Sequence, residues 1–104
     1  MKDAILRKLF LGFIQVHILY HAQKSPIYGV LLMDELKTHG YDLSPGTLYP
    51  ILHNLESCGL LKQELSVVHG KQRKNYVITE QGVLALQEAK LRVTEMFYEL
   101  NGES

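Results

Sequence analysis

The sequence predicts a mainly α fold carrying one small β-hairpin, and three observations support that expectation. Apolar residues recur at helical spacing in four separate stretches. After Gly59 the pattern turns β-branched and aromatic, with a turn signal in its middle. The last helical stretch is too long for the rest of a 104-residue chain to cover. A composition of 46% hydrophobic and 21% charged residues is that of one globular unit with a modest core, not a disordered or fibrous chain. No internal repeat, linker or low-complexity segment is evident.

A first helix is expected from a cap at Asp3 to about Gln23, with Ile5, Leu6, Leu9, Phe10, Phe13 and Ile14 in one stripe. Val16, Ile18, Leu19 and Tyr20 widen that stripe beyond what one neighbour would cover. Ser25-Pro26 stops it and starts a second helix to about His39, with Ile27, Val30, Leu31 and Leu36 inward and Gly40 as a left-handed cap. A few residues then lead to a third helix, in which Ser44 can cap, Pro45 suits the first position, and Leu48, Ile51, Leu52 and Leu55 share a face. Its other side, with Gly46, Pro50, His53, Asn54 and Ser57 and with Thr47 and Tyr49 on the flanks, is polar and nearly free of charge. Pro50 stands about one turn in and removes the bond to the Gly46 carbonyl, a conflict of ~3 kcal/mol in a helix interior. Local conflict of this kind often marks a working surface.

Leu61, Leu65 and Val67, the turn His69-Gly70-Lys71 and the run Tyr76-Val77-Ile78 read as a hairpin. Thr79 caps a last helix to about Leu100, in which Leu86, Ala89, Val93, Met96 and Leu100 follow a 3-4-3-4 spacing expected to pack on a second copy of the chain. Two helices joined by a tight turn, then a hairpin and a long helix, make a winged helix-turn-helix. The expected division is a DNA-binding unit over 1–78, whose first helix also serves the dimer, and a dimerisation helix with its tail over 79–104.

The formal net charge is zero, so only its distribution speaks. Between Leu60 and Ile78, Lys62, Lys71, Arg73 and Lys74 face only Glu64. From Thr79 onward Lys90 and Arg92 face Glu80, Glu88, Glu95, Glu99 and Glu103. Cys58 is the only cysteine, which excludes an intrachain disulfide and suits a reducing, cytoplasmic setting. Beside Gly59 it reads as a packed thiol at a helix end, since no second cysteine exists to resolve an oxidised one. Lys2, Arg7 and Lys8 before an apolar run imitate a signal peptide. Gln15 and His17 interrupt that run, and it is too short to span a bilayer, so a partly buried helix and no membrane partner are expected.

These residues resemble the PadR family of bacterial transcriptional regulators. The match rests on Pro26-Ile27-Tyr28-Gly29, on Leu43-Ser44-Pro45-Gly46-Thr47-Leu48-Tyr49-Pro50 with Leu52, Leu55, Glu56 and Gly59-Leu60, on Arg73-Lys74 and Tyr76, and on Thr79-Glu80-Gln81-Gly82. It covers roughly residues 9 to 95. The resemblance implies a dimeric DNA-binding repressor of the compact type, with a single terminal helix, released by aromatic or lipophilic inducers. Asn75, Val77 and Leu65 depart from the family's usual aromatic, basic and tryptophan residues in the wing.

Hydrogen-bonding chemistry assigns the base-reading role to the exposed start of the third helix. Ser44, Thr47, Tyr49 and His53 can exchange hydrogen bonds with base edges, Pro50 can touch a thymine methyl, Asn54 can reach a phosphate or base, and Pro45 and Gly46 bring the backbone close. Phosphate attraction falls to Lys71, Arg73 and Lys74 in the wing, helped by Lys24 and the helix dipole. Phe10, Phe13, Ile14, Val93, Met96 and Phe97 are candidates for an effector cavity where two subunits meet, or simply for the dimer core. His17 and His21 stand at metal-ligand spacing, but position 18 lacks a metalloprotease glutamate and no third ligand is evident, so no metal or other cofactor is expected. No phosphate loop, carboxylate pair or nucleophile elbow appears, so no enzyme is expected. The alternative is a winged-helix module that binds protein through the same surface or through the acidic last helix.

Overall fold

A computed structural model describes residues 2–102; Glu103 and the end of the tail, counted above, lie outside the described residues. The order is α1 (Lys2–Lys24), α2 (Gly29–Thr38), α3 (Pro45–Ser57), β1 (Leu61–Val68), β2 (Lys71–Ile78) and α4 (Glu80–Leu100). The mainly α fold with a hairpin wing and a long last helix is therefore the one observed. No described helix is long and apolar enough to cross a membrane.

α1 begins before Asp3, which lies inside the first turn. There its carboxylate complements the helix dipole without being the cap. The expected apolar stripe divides in two along the helix. Ile14, Ile18, Leu19 and Ala22 are buried in the core, whereas Ile5, Leu6, Leu9, Phe10 and Phe13 are exposed, the Phe10 ring lying 6.5 Å from that of Tyr41. The core is completed by Ile27, Leu32 and Leu36, by Leu48, Leu52 and Leu55 from α3, and by Leu61, Tyr76 and Leu86.

α2 starts later than Ser25-Pro26 suggests. Ile27 is held in an extended bridge to Tyr76, with its N–H donating to the Tyr76 carbonyl at 2.9 Å and its carbonyl accepting from the Tyr76 N–H at 2.7 Å. A residue whose backbone groups are committed sideways cannot enter a helix, so the helix waits until Gly29. The inward face shifts accordingly. Leu32 and Leu36 are buried, while Val30 and Leu31, expected inside, face outward. Gly40 does take the left-handed conformation past the helix end, at φ 89°.

Strands β1 and β2 pair antiparallel from Leu61↔Ile78 out to Val68↔Lys71. The two-residue turn puts both His69 (φ 53°) and Gly70 (φ 77°) at positive φ, which matches the right-handed twist of the flanking strands. Leu65 and Val67, out on the wing, are exposed.

The wing, α3 and α4 meet at one clasp. The Thr79 hydroxyl donates to the Gly59 carbonyl at 2.6 Å and accepts from the Gly82 N–H at 3.0 Å, capping α4, while the Thr79 N–H donates to the Leu60 carbonyl at 3.1 Å. Gly82 is buried so close to this loop that a Cβ there would run into the Leu60 carbonyl oxygen and the Ile78 side chain. Only a residue without a side chain lets α4 start where it does. Leu86, one turn further on, is only 1% exposed. It belongs to the chain's own core and has no surface left for a second copy, unlike the rest of the 3-4-3-4 row. We predict that Gly82→Ala lowers unfolding free energy by about 1–3 kcal/mol in denaturant titration; a change under about 0.5 kcal/mol would show that the clasp yields.

Candidate nucleic-acid interface

The exposed side of α3 is split by its neighbours into two sectors. Tyr49 and His53 line a groove of about 590 Å³ together with Tyr28, Gly29 and Val30 at the start of α2 and with Gln72, Arg73, Lys74 and Tyr76 of β2. Pro50 and Asn54, one position round the helix, line a shallower groove against Leu11 and Gln15 of α1. Residues expected to form a single reading face thus lie on adjacent sectors. Pro45, Gly46, Pro50, His53 and Asn54 are all exposed, and Thr47 is half-buried.

α3 starts as expected but is capped differently. Ser44 has extended backbone (φ −79°, ψ 159°) with Pro45 following, yet its side chain makes no capping bond. Its hydroxyl donates instead to the Thr47 hydroxyl at 3.3 Å, and its carbonyl accepts from the N–H groups of Thr47 and Leu48 at 3.0 Å. The N–H of Gly46 is left without a capping side chain at the positive end of the helix dipole, where an anion is favoured. Helix geometry continues through Pro50.

Tyr49 is seated by close approach. A Cβ on Gly29 would overlap its phenol oxygen, so the tyrosine lies flush on α2 only because that residue is glycine. The wing is seated by Arg73, whose guanidinium carbon stands 3.9 Å from the centre of the Tyr28 ring. Arg73, expected to contact phosphate, is thus stacked on α2 in the free chain. Arg73 is half-buried, with Nε buried and unpaired, and braces the hairpin against α2, whereas Lys71 and Lys74 are exposed. At the root of the groove the Gln63 amide donates to Glu56 at 3.1 Å and approaches the Tyr76 hydroxyl at 3.5 Å. Burial, then the nearby Glu56 carboxylate and Tyr49, pushes the Tyr76 phenol above its ordinary range, so it stays neutral.

Other candidates fall elsewhere. The Lys24 ammonium sits 4.6 Å over the ring of Tyr20, at the end of α1. Cys58, expected to be packed, is exposed at the end of α3. Of the effector candidates, Ile14 is in the core, while Phe10, Phe13, Val93, Met96 and Phe97 are exposed. Ala89 is half-buried and Leu100 is 82% exposed. α4 also carries a second exposed row, Leu84, Leu91 and Tyr98, seven residues apart, which the 3-4-3-4 reading passed over. His39, which sequence spacing had no means of linking to His17 and His21, is brought beside them at the end of α2. The roles of Tyr28, Val30 and Gln72 were likewise missed, because they follow from the packing of the wing on α2.

The transcriptional regulator PadR-like family matches over residues 18–88. The transcriptional regulator Rv3488 of Mycobacterium tuberculosis is 42% identical over 97 residues, covering 93% of this chain and 91% of that protein. Among solved structures, a PadR-like transcriptional regulator from Bacillus cereus superposes with a TM-score of 0.84 at 29% identity, covering 91% of this chain and 94% of that one. A PadR-like transcription factor from Bacteroides fragilis gives 0.81 at 27% identity, covering 98% of this chain and 100% of that one. The whole helix-turn-helix, the wing and the start of α4 lie inside the matched region, and this chain belongs to the PadR-like family of transcriptional regulators.

Proposed function

We propose that this regulator is a homodimer that binds a near-palindromic DNA operator, represses transcription in the cytoplasm and lets go when a small aromatic or lipophilic effector binds. The observation that carries this reading is the groove shared by Tyr49 and His53 of α3 with Gln72, Arg73 and Lys74 of the wing. It pairs uncharged hydrogen-bonding groups, suited to base edges, with cations suited to the flanking phosphates. α3 itself carries Glu56 and no lysine or arginine, so a neutral reading helix takes its electrostatic grip from Lys71 and Lys74.

Dimerisation is supported by the apolar surface that one chain leaves uncovered. Leu9, Phe10 and Phe13 of α1 and Val93, Met96, Phe97 and Leu100 of α4 are exposed together, far beyond the scattered apolar residues of an ordinary surface. In the proposed operator complex the two α3 helices of such a dimer enter successive major grooves, ~34 Å apart. Effector binding is supported by the aromatic part of the same surface, where Phe10 and Phe13 lie with ring centres 6.4 Å apart and Phe10 and Tyr41 6.5 Å apart.

Lys71→Ala and Lys74→Ala should weaken binding to all duplexes and each flatten the dependence of affinity on salt by about one unit, whereas His53→Ala should change the sequence recovered by selection from random DNA. Unchanged salt slopes would remove the wing from the phosphate contact. Met96→Glu with Leu100→Glu should convert a dimer to monomers in sedimentation, since two charges placed in an apolar seam lose much of its hydrophobic gain. Phenolic and planar drug-like compounds titrated into the DNA complex should release the duplex; if none does, the effector part of the proposal falls. DNA binding that is absent at every salt concentration would favour the protein-binding alternative.

A further inference from the structure

His17, His21 and His39 come together between α1 and the end of α2. His17 and His21 project from successive turns of α1 with ring centres 6.4 Å apart. His39, at the end of α2, stacks on His17 at 4.6 Å and stands 6.2 Å from His21. One nitrogen from each ring lies within 4.8 Å of the other two. Ligand atoms around a tetrahedral ion with nitrogen bonds of 2.0–2.1 Å are about 3.3 Å apart. Binding an ion would require the rings to turn from their stacked arrangement toward one point, and His39 is exposed at a helix end, where such a turn meets least resistance.

Two further features set this trio apart from an ordinary histidine cluster. Nε2 of His21 is buried with no hydrogen-bond partner among the described residues. A polar nitrogen shut away in that state costs about 1–3 kcal/mol unless something binds it. The edges of Tyr41 against His17, at 5.6 Å, and of Tyr20 against His21, at 5.3 Å, wall the site with aromatic rings.

We propose that His17, His21 and His39 bind one divalent transition-metal ion of the zinc class per chain, and that the ion adjusts DNA affinity. Three imidazoles without a carboxylate or thiolate favour zinc, cobalt, nickel or copper over calcium or magnesium. Three protein ligands leave one coordination position for water or an exchangeable group. The location gives the ion mechanical leverage. It would tie α1 to the end of α2, immediately before the Gly40–Ser44 turn that aims α3, and would do so one turn along α1 from the uncovered Phe13. This second half of the proposal rests on the DNA-binding reading above.

The test uses the full chain with any affinity tag removed. Calorimetric titration with zinc chloride should give one ion per chain, and His39→Ala should weaken it by at least about a hundredfold, since even losing a ligand's outer-shell support costs ~10–100-fold. Circular dichroism of His39→Ala checks that the variant is folded, and His21→Ala provides a second removal of a ligand. Cobalt should give visible bands without the near-ultraviolet charge-transfer band that Cys58 would add, and Cys58→Ser should bind zinc as the parent does. No saturable zinc binding, equal binding by folded His39→Ala, or loss of binding in Cys58→Ser overturns the site. DNA affinity should shift with zinc for the parent and not for His39→Ala; no shift in the parent overturns the regulatory half. Failure to bind DNA with or without zinc overturns the reading on which that half rests, while the calorimetry still decides the site.

Discussion

Two backbone hydrogen bonds between Ile27 and Tyr76 hold the molecule in its working shape. They convert a two-stranded hairpin, which has little stability alone, into a sheet anchored to the segment between α1 and α2. The Tyr76 ring then fills the core at 1% exposure, so the wing cannot swing away without opening the hydrophobic centre. Because the same bridge delays the start of α2, it also sets where Tyr28 and Gly29 stand. Those two residues receive Arg73 and Tyr49, which fixes the width of the groove between wing and α3.

The groove shows how a nearly uncharged helix acquires an electrostatic setting. Leu48, Leu52 and Leu55 occupy its buried face, and the exposed face carries hydroxyl, imidazole and amide groups. Arg73 spends its planar face on Tyr28 and gains rigidity, leaving the more flexible Lys71 and Lys74 toward solvent. In the proposed complex this division separates positioning of the hairpin from attraction to phosphate. Pro50, the conspicuous residue of the sequence, lies on the sector facing α1, at the margin of that groove.

Apolar surface on α1 and α4 has a common origin. α4 enters the core through Gly82 and Leu86 and then runs past it, 21 residues in all and hence ~32 Å long. The same face that buries Leu86 leaves Val93, Met96 and Leu100 uncovered a few turns later. At ~1.5–3 kcal/mol for each large apolar side chain fully buried, a second copy would be held by this surface far more strongly than by any exposed ion pair, such as the 3.1 Å contact of Arg92 with Glu88.

The sequence by itself determined the features that depend on neighbours along the chain. Periodicity identified four helices and a hairpin, Thr79 its capped helix, Gly40 its left-handed stop, and the run from Leu43 to Pro50 a family resemblance that the comparisons bear out. Period and cap are local properties, set within one or two turns, so they are legible without the fold. Tertiary structure decided which apolar rows were already covered. Leu86 and Ile14 went to the core, Val30 and Leu31 faced outward, and Phe10, Met96 and Leu100 were left over, because burial depends on what arrives from elsewhere and not on the pattern itself. It also decided the long-range pairings: Ile27 with Tyr76, Arg73 with Tyr28, and His39 with His17 and His21. None of these has a signature in spacing, because each joins residues whose separation in the chain is fixed only once α1, α2 and the wing have closed on one core.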